Sequence, residues 1–251
     1  MSLNKEVVVF DVDGVIFDST NECLIIAWNA YEEMNGNNNK IYSPHQADKE
    51  YEEKFRSVRN YVRSMDEYLV VFHGSYSDKP NQNYFEYELS LIDQDLKVEY
   101  SRIFYNERKI FKKKLYQEWI ELHSAYEGIL EILKSCSLKK SLYLITGKDE
   151  GSVRDLTNHF APEVKVQQIY DKYSVDNKLL ALMKIANHEN LSPQEIKFID
   201  DNVTHLIDPQ ENNFNIGLAS WGYAMPDHVL MAKDRKIPIL DLKNLKEFLT
   251  L

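Results

Sequence analysis

Residues 7–15 read Val-Val-Val-Phe-Asp-Val-Asp-Gly-Val, an apolar run that ends in two carboxylates and a glycine. An unbroken apolar run of this length is typical of a strand buried inside a parallel sheet, where both faces are covered. Packing gives such a strand no reason to end in Asp11 and Asp13. In open α/β sheets, ligands bind at the carboxyl ends of the strands. The stretch therefore predicts a parallel sheet with a functional site at the end of its first strand.

The composition is that of a large globular chain with an acidic balance. The 251 residues are 43% hydrophobic, and 40 acidic against 30 basic residues give a formal net charge of −10. This balance argues against a general nucleic-acid binder, which would normally carry a basic stripe. No apolar stretch approaches the roughly 20 residues that span a bilayer, and no secretory signal precedes the first strand. We expect a cytoplasmic protein with no nucleic-acid or membrane partner.

The pattern of apolar residues divides the chain into two parts. Residues 44–123 are rich in Tyr, Phe, Glu, Lys and Arg and show helical spacing, with the longest helix predicted over about 96–122. From residue 126 strands and helices alternate, which predicts a doubly wound parallel sheet. The predicted organisation is an α/β core over residues 1–18 and 125–251, with an all-helical domain inserted over residues 19–124. About five strands are expected, over residues 6–10, 141–145, 164–169, 196–199 and 214–218.

Polar side chains follow three of the predicted strands. Asp11 and Asp13 follow the first, Thr146 follows the second, and the pair Asp200-Asp201 follows the fourth. The carboxyl ends of parallel strands lie along one edge of a sheet, so these groups are expected to converge there. Carboxylates at close range repel one another, and a hard cation such as Mg²⁺ relieves the repulsion.

Such a cluster suits phosphoryl transfer. One carboxylate attacks phosphorus and forms an aspartyl-phosphate, while a second protonates the leaving oxygen. The Thr146 hydroxyl, the Lys178 ammonium at a predicted helix start and backbone N–H groups such as that of Gly147 are the expected holders of the phosphoryl oxygens.

Together these residues resemble the four motifs of the haloacid dehalogenase-like superfamily of phosphohydrolases. The first motif, Asp-x-Asp-x-Thr/Val, is matched at Asp11 to Val15, and the second, a Ser or Thr that ends the next strand, is matched at Thr146. The third, a Lys near a helix start, is matched at Lys178, and the fourth, an acidic pair, at Asp200-Asp201. The resemblance covers residues 5–20 and about 125–225. It implies a Rossmann-like core with a helical cap.

The resemblance also implies a role for each residue. Asp11 is the nucleophile and Asp13 the general acid/base, with Thr146, Gly147 and Lys178 around the phosphate. The implied Mg²⁺ ligands are Asp11, the backbone carbonyl of Asp13 and Asp201, with Asp200 as a further ligand or as a residue that orients one. The implied activity is Mg²⁺-dependent hydrolysis of a small phosphorylated metabolite, and the helical cap would select the substrate and exclude water.

Two positions depart from the family pattern. His205 stands where many relatives carry another Asp, and Leu179 rather than Pro follows Lys178. Lys172 is a weaker candidate for the third motif, because it precedes any clear helix start. In the insert, His73 and Tyr76 are weaker candidates for a substrate-facing loop.

Alternative functions remain open from the sequence. A phosphomutase uses the same acid pair, and a phosphonatase needs a cap lysine that the sequence does not single out. A non-enzymatic protein that binds a phosphorylated ligand is the alternative from a different class.

Overall fold

A computed structural model describes residues 6–75 and 79–251 of the chain, and Tyr76 lies outside them. The chain forms two compact units. The core unit combines Met1–Asp18 with Ala125–Leu251, and the helical unit is Ser19–Ser124. Within the described ranges, none of the helices combines the length and the apolarity that crossing a bilayer requires.

A parallel sheet forms the centre of the core unit. The strands of the described residues are β1 Val7–Phe10, β2 Phe17–Asp18, β3 Ser124–Ala125, β4 Ser141–Ile145, β5 Gln168–Tyr170, β6 Ile196–Asp200, β7 Asn215–Ala219 and β8 Ile239–Leu240. Six of them pair in parallel in the order β5-β4-β1-β6-β7-β8. The remaining two, β2 and β3, are short and stand where the chain passes from one unit to the other.

The α/β fold with a parallel sheet is confirmed, with one strand more than the sequence predicted. The additional strand is β8, which has only two residues and follows Pro238. Two residues show no periodicity, so the sequence gives no signal for it. The third predicted strand starts later than expected, because only Gln168–Tyr170 align with β4.

Among the described residues, the helical unit contains the first six α-helices. They are α1 Thr20–Met34, α2 Lys49–Val58, α3 Val70–His73, α4 Gln82–Ser90, α5 Gln94–Lys114 and α6 Tyr116–Glu121. The single long helix predicted over 96–122 is wrong, because the backbone at Leu115 leaves the helical region (φ −136°, ψ 59°) and separates α5 from α6. Stacked rings form part of this unit's core, with Tyr68 between Phe55 and Phe104 at centroid distances of 5.2 and 5.6 Å.

The remaining helices pack in the core unit. They are α7 Ile129–Lys139, α8 Glu150–Phe160, α9 Lys178–Glu189, α10 Val203–Glu211, α11 Pro226–Asp234 and α12 Leu242–Leu249. Val7 and Val9 of β1 contact a cluster that includes apolar residues of α9, α10 and α11. Val8 and Phe10, which alternate with them along the strand, are equally buried. Both faces of the central strand are therefore covered, as its unbroken apolar run predicts.

Candidate active site

The site begins with the order of the strands. Because β1 lies between β4 and β6, the residues that follow these three strands become neighbours at one edge of the sheet. Backbone hydrogen bonds continue the ladder into two of them. The N–H of Asp11 donates to the carbonyl of Ile199 at 2.9 Å, and that of Thr146 donates to the carbonyl of Tyr170 at 2.9 Å. The starts of these two loops are therefore held by the sheet itself.

The loop after β1 is tightly closed on itself. The N–H groups of Ile16 and Phe17 both donate to the carbonyl of Val12, at 2.9 and 3.0 Å. Gly14 has a φ of +85°, a conformation that L side chains rarely adopt, and a Cβ at this position would overlap the carboxylate of Asp201. Glycine thus lets the first loop and the acid after β6 approach closely.

Lys178 connects two buried carboxylates of the site, Asp11 and Asp200. Its Nζ lies 2.8 Å from Oδ2 of Asp11 and 2.6 Å from Oδ2 of Asp200. Lys178 is the first residue of α9, whose N-cap, Asn177, accepts a hydrogen bond from the N–H of Leu180 at 2.9 Å. The structure therefore brings together residues of the first, third and fourth motifs, namely Asp11, Lys178 and Asp200.

Burial and charge shift the pKa values of these three groups. Burial raises the pKa of Asp11 to about 6, and the charge of Asp200 adds to this effect, whereas Lys178 and His205 oppose it. Burial also acts to raise the pKa of Asp200, but the charges of Lys178 and His205 outweigh it, so that this pKa lies below its usual range. Asp11 and Asp200 likewise hold the pKa of Lys178 above its usual range, against the effect of burial. A cation close to Asp11 would favour its ionised, nucleophilic form.

A cluster of possible metal ligands lies at the same place. Asp11, Asp200 and His205 each offer a ligand atom, and these atoms lie within 4.8 Å of one another. The Nδ1 of His205 is 3.2 Å from Oδ1 of Asp200. Two buried carboxylates fit a hard divalent cation such as Mg²⁺, which prefers oxygen ligands, and an imidazole also suits transition metals.

Only some of the predicted metal ligands belong to this cluster. Asp11 and Asp200 belong to it, whereas Asp201 is buried with its Oδ2 accepting a hydrogen bond from the N–H of Tyr223 at 3.2 Å. His205, which the sequence marks only as a departure from the family pattern, takes a place beside Asp200.

Thr146, Gly147 and Lys148 form the loop between β4 and α8. Oγ1 of Thr146 accepts a hydrogen bond from the N–H of Lys148 at 3.0 Å. Lys148 is completely buried, and its Nζ lies 3.5 Å from Oδ1 of Asp13. The sequence does not single out Lys148, because a lysine in a loop usually has a solvated side chain. Its position two residues after Thr146, the predicted phosphate-binding residue, is the one sequence feature that could have indicated a place at the site.

The loop after β7 packs on the loop after β1. Nε1 of Trp221 donates to the carbonyl of Val15 at 3.0 Å, and the hydroxyl of Tyr223 donates to Oδ1 of Asp18 at 3.0 Å. A Cβ at Gly222 would overlap the carbonyl oxygen of Gly14. These contacts hold the loop that carries Asp13.

Lys172, the weaker candidate for the third motif, has a different environment. Its Nζ lies 4.3 Å from the centre of the Tyr173 ring. Of these two candidates, Lys178 is therefore the one whose ion pairs with Asp11 and Asp200 fit the third motif.

Solved structures show the same fold over nearly the whole chain. A haloacid dehalogenase-like family hydrolase from Streptococcus pneumoniae shares 16% identity, with a TM-score of 0.63 over 98% of this chain and 99% of that chain. A predicted phosphoglycolate phosphatase from Haemophilus somnus shares 14% identity, with a TM-score of 0.63 over 98% and 99% of the two chains. A β-phosphoglucomutase from Clostridium difficile shares 18% identity, with a TM-score of 0.53 over 94% and 91%. At these identities the likeness concerns the fold.

The sequence itself also matches a known family. No curated protein matches this chain significantly. The family model of the haloacid dehalogenase-like hydrolases, however, matches residues 5–207, a range that includes both β1 and His205. The motif order, the parallel sheet and this match agree, and the chain belongs to the haloacid dehalogenase-like hydrolases.

Proposed function

We propose that this hydrolase is a Mg²⁺-dependent phosphatase that cleaves a small phosphomonoester through an aspartyl-phosphate on Asp11. The observation that carries the proposal is the placement of two buried carboxylates, Asp11 and Asp200, around one ammonium at the carboxyl ends of β1 and β6. Charge balanced in this way in a buried site suits the transfer of an anionic phosphoryl group.

The reaction assigns a different step to each acid of the first motif. An oxygen of Asp11 attacks phosphorus, and the bond from phosphorus to the leaving oxygen breaks as Asp13 gives that oxygen a proton. Asp13 then takes a proton from a water molecule that attacks phosphorus, which releases inorganic phosphate and restores Asp11. The hydroxyl of Thr146, the N–H of Gly147 and the ammonium of Lys178 hold the phosphoryl oxygens.

The residues that would hold Mg²⁺ are Asp11, the backbone carbonyl of Asp13, Asp200 and Asp201. When bound, Mg²⁺ supplies positive charge that orients the substrate phosphate and offsets the repulsion among these carboxylates. His205 lies beside Asp200 and would orient that carboxylate or join the ligands.

The helical unit, in this proposal, is the cap that selects the substrate. Such caps exclude water and bring substrate-specific groups to a core that is shared by many relatives. The substrate in this proposal is a small phosphorylated metabolite. The cytoplasmic location stays a prediction from the sequence.

The test is hydrolysis of 4-nitrophenyl phosphate and of a broad panel of phosphomonoesters, with Mg²⁺ and after chelation. We expect turnover that requires Mg²⁺ and that disappears in Asp11→Asn, together with phosphate bound covalently to Asp11 in the acid-quenched wild-type protein, detectable by mass spectrometry. No Mg²⁺-dependent turnover above that of Asp11→Asn across the panel would refute the phosphatase proposal. Release of an isomerised sugar phosphate instead of inorganic phosphate would identify the phosphomutase alternative.

A further inference from the structure

A second buried lysine lies at the site, in addition to Lys178. Lys148 has no exposed surface, and its Nζ is 3.5 Å from Oδ1 of Asp13, whose side chain is 14% exposed. Lysine is almost never fully buried unless its charge is paired. The burial of Lys148 therefore indicates that its ammonium has a defined place beside Asp13.

The backbone around Lys148 is held on both sides. Its own N–H donates to Oγ1 of Thr146 at 3.0 Å, one residue after the end of β4. The following residue, Asp149, is the N-cap of α8 and accepts a hydrogen bond from the N–H of Ser152 at 2.9 Å. A strand end and a helix start thus restrict where the Lys148 side chain can point.

The two lysines contact different acids of the site. Lys178 contacts Asp11 and Asp200, at 2.8 and 2.6 Å. Lys148 contacts Asp13, the second acid of the same motif. The nucleophile and the proposed proton donor thus each have an ammonium, one from the loop between β4 and α8 and the other from the first residue of α9.

We propose that Lys148 is a positioning residue that holds the Asp13 carboxyl group where it can protonate the leaving oxygen. This inference rests on the proposed phosphatase function. The proton passes from Asp13 to the leaving oxygen as the bond to phosphorus breaks, and Lys148 keeps its own protons. Correct placement matters because a displacement of about 1 Å can cost about 100-fold in rate.

The test compares leaving groups that depend differently on the proton. Phenyl phosphate releases a basic phenolate that needs protonation, whereas 4-nitrophenyl phosphate releases a weakly basic one. The measured quantity is kcat/KM, since it reports the steps up to the first bond cleavage. For Lys148→Met we expect a loss of about 100-fold on phenyl phosphate and of less than about tenfold on 4-nitrophenyl phosphate, because little general-acid assistance is needed there.

Four further variants complete the experiment. Asp13→Asn should show the same leaving-group pattern as Lys148→Met, and adding Lys148→Met to Asp13→Asn should cause little further loss. Lys148→Arg should restore part of the activity on phenyl phosphate. Lys184→Met, which removes an exposed lysine of α9, should retain wild-type values on both substrates. Circular dichroism checks folding, and Lys148→Gln replaces Lys148→Met if the latter does not fold.

The possible outcomes separate the two claims. Equal losses on both substrates in Lys148→Met would overturn the positioning role, because they would indicate that the ammonium binds the phosphoryl group or only stabilises the fold. Additive losses in the double variant would overturn it as well. A wild-type protein without Mg²⁺-dependent turnover on these two substrates and on the broad panel of phosphomonoesters would instead overturn the proposed function itself.

Discussion

Lys178 supplies positive charge to two acids that are otherwise buried close together. Its Nζ contacts Asp11 and Asp200 at 2.8 and 2.6 Å. Without it, two buried carboxylates repel each other, and removing one partner of a buried ion pair costs about 3–5 kcal/mol. A divalent cation at the same acids would offset the loss.

For Lys178→Met we therefore expect a lower melting temperature than wild type without metal and a larger rise on adding Mg²⁺. Thermal unfolding with and without Mg²⁺ measures both effects. Lys184→Met, on the same helix but exposed, is the control and should behave as wild type. Equal Mg²⁺-induced shifts in Lys178→Met and wild type would contradict the idea that this ammonium and the cation neutralise the same acids.

Gly14 allows the first loop and the fourth motif to approach each other. Its φ is +85°, and an added Cβ would overlap the carboxylate of Asp201. Gly14→Ala should therefore destabilise the protein by the backbone cost of about 1–2 kcal/mol and by about 1–3 kcal/mol for the overlap. Urea unfolding measures the sum.

Gly128 offers a matched control for this substitution. Its φ is +81°, but nothing lies within 4 Å of the position of an added Cβ. Gly128→Ala should show only the backbone cost. If both variants lose the same free energy of unfolding, the close approach of Gly14 to Asp201 contributes nothing to the loss in Gly14→Ala.

The loop after β7 is the element that ties the functional loops together. The N–H of Tyr223 donates to Asp201, and its hydroxyl donates to Asp18, which lies 205 positions away in the chain. One residue thereby joins the fourth motif to the short strand β2. The position of the first loop thus depends on an element outside the four motifs.

Tyr223→Phe removes only the hydroxyl of this connection. We expect a loss of about 1 kcal/mol in the free energy of unfolding, the usual value for one hydrogen bond, with the N–H contact to Asp201 kept. Tyr173→Phe, at a position that is 73% exposed, should change stability little. A Tyr223→Phe variant as stable as wild type would indicate that the hydroxyl adds nothing to the position of β2.

At the scale of the whole molecule, the helical unit has its own buried ion pair. Nε and Nη2 of Arg108 donate to the two carboxylate oxygens of Glu22 at 2.6 and 3.1 Å, and both side chains are almost completely buried. The pair joins α5 to the first turn of α1. The unit therefore depends on a charged contact that is independent of the acids of the core unit.

Arg108→Met should destabilise the helical unit by about 3–5 kcal/mol, because it leaves the Glu22 carboxylate buried without its cation. Urea unfolding followed by tryptophan fluorescence, to which the buried Trp119 of this unit contributes, measures the effect. Adding Glu22→Gln should restore part of the loss, since the stranded charge is then removed. Additive losses in the double variant would contradict this explanation.

Much of the fold was readable from local patterns. The apolar run of β1 predicts a strand covered on both faces, and Val7 to Phe10 form that strand. The helix start at Lys178 also agrees, because Asn177 is a good N-cap. Periodic patterns do not reveal every feature of the fold. The break at Leu115, which divides the helix predicted over 96–122, and the two-residue strand β8 were not predicted, because neither produces a periodic pattern in the sequence.

The fold class, the family and the candidate acids follow from the amino-acid sequence, because each depends on residues that are neighbours in the chain or on motif order. The contacts of Lys148 with Asp13, of His205 with Asp200 and of Tyr223 with Asp201 are visible only in the folded protein. The metal ligands and the cap role of the helical unit stay predictions. The physical reason is that short-range propensities act along the backbone, whereas electrostatic and packing contacts depend on distances in space that only the folded sheet sets.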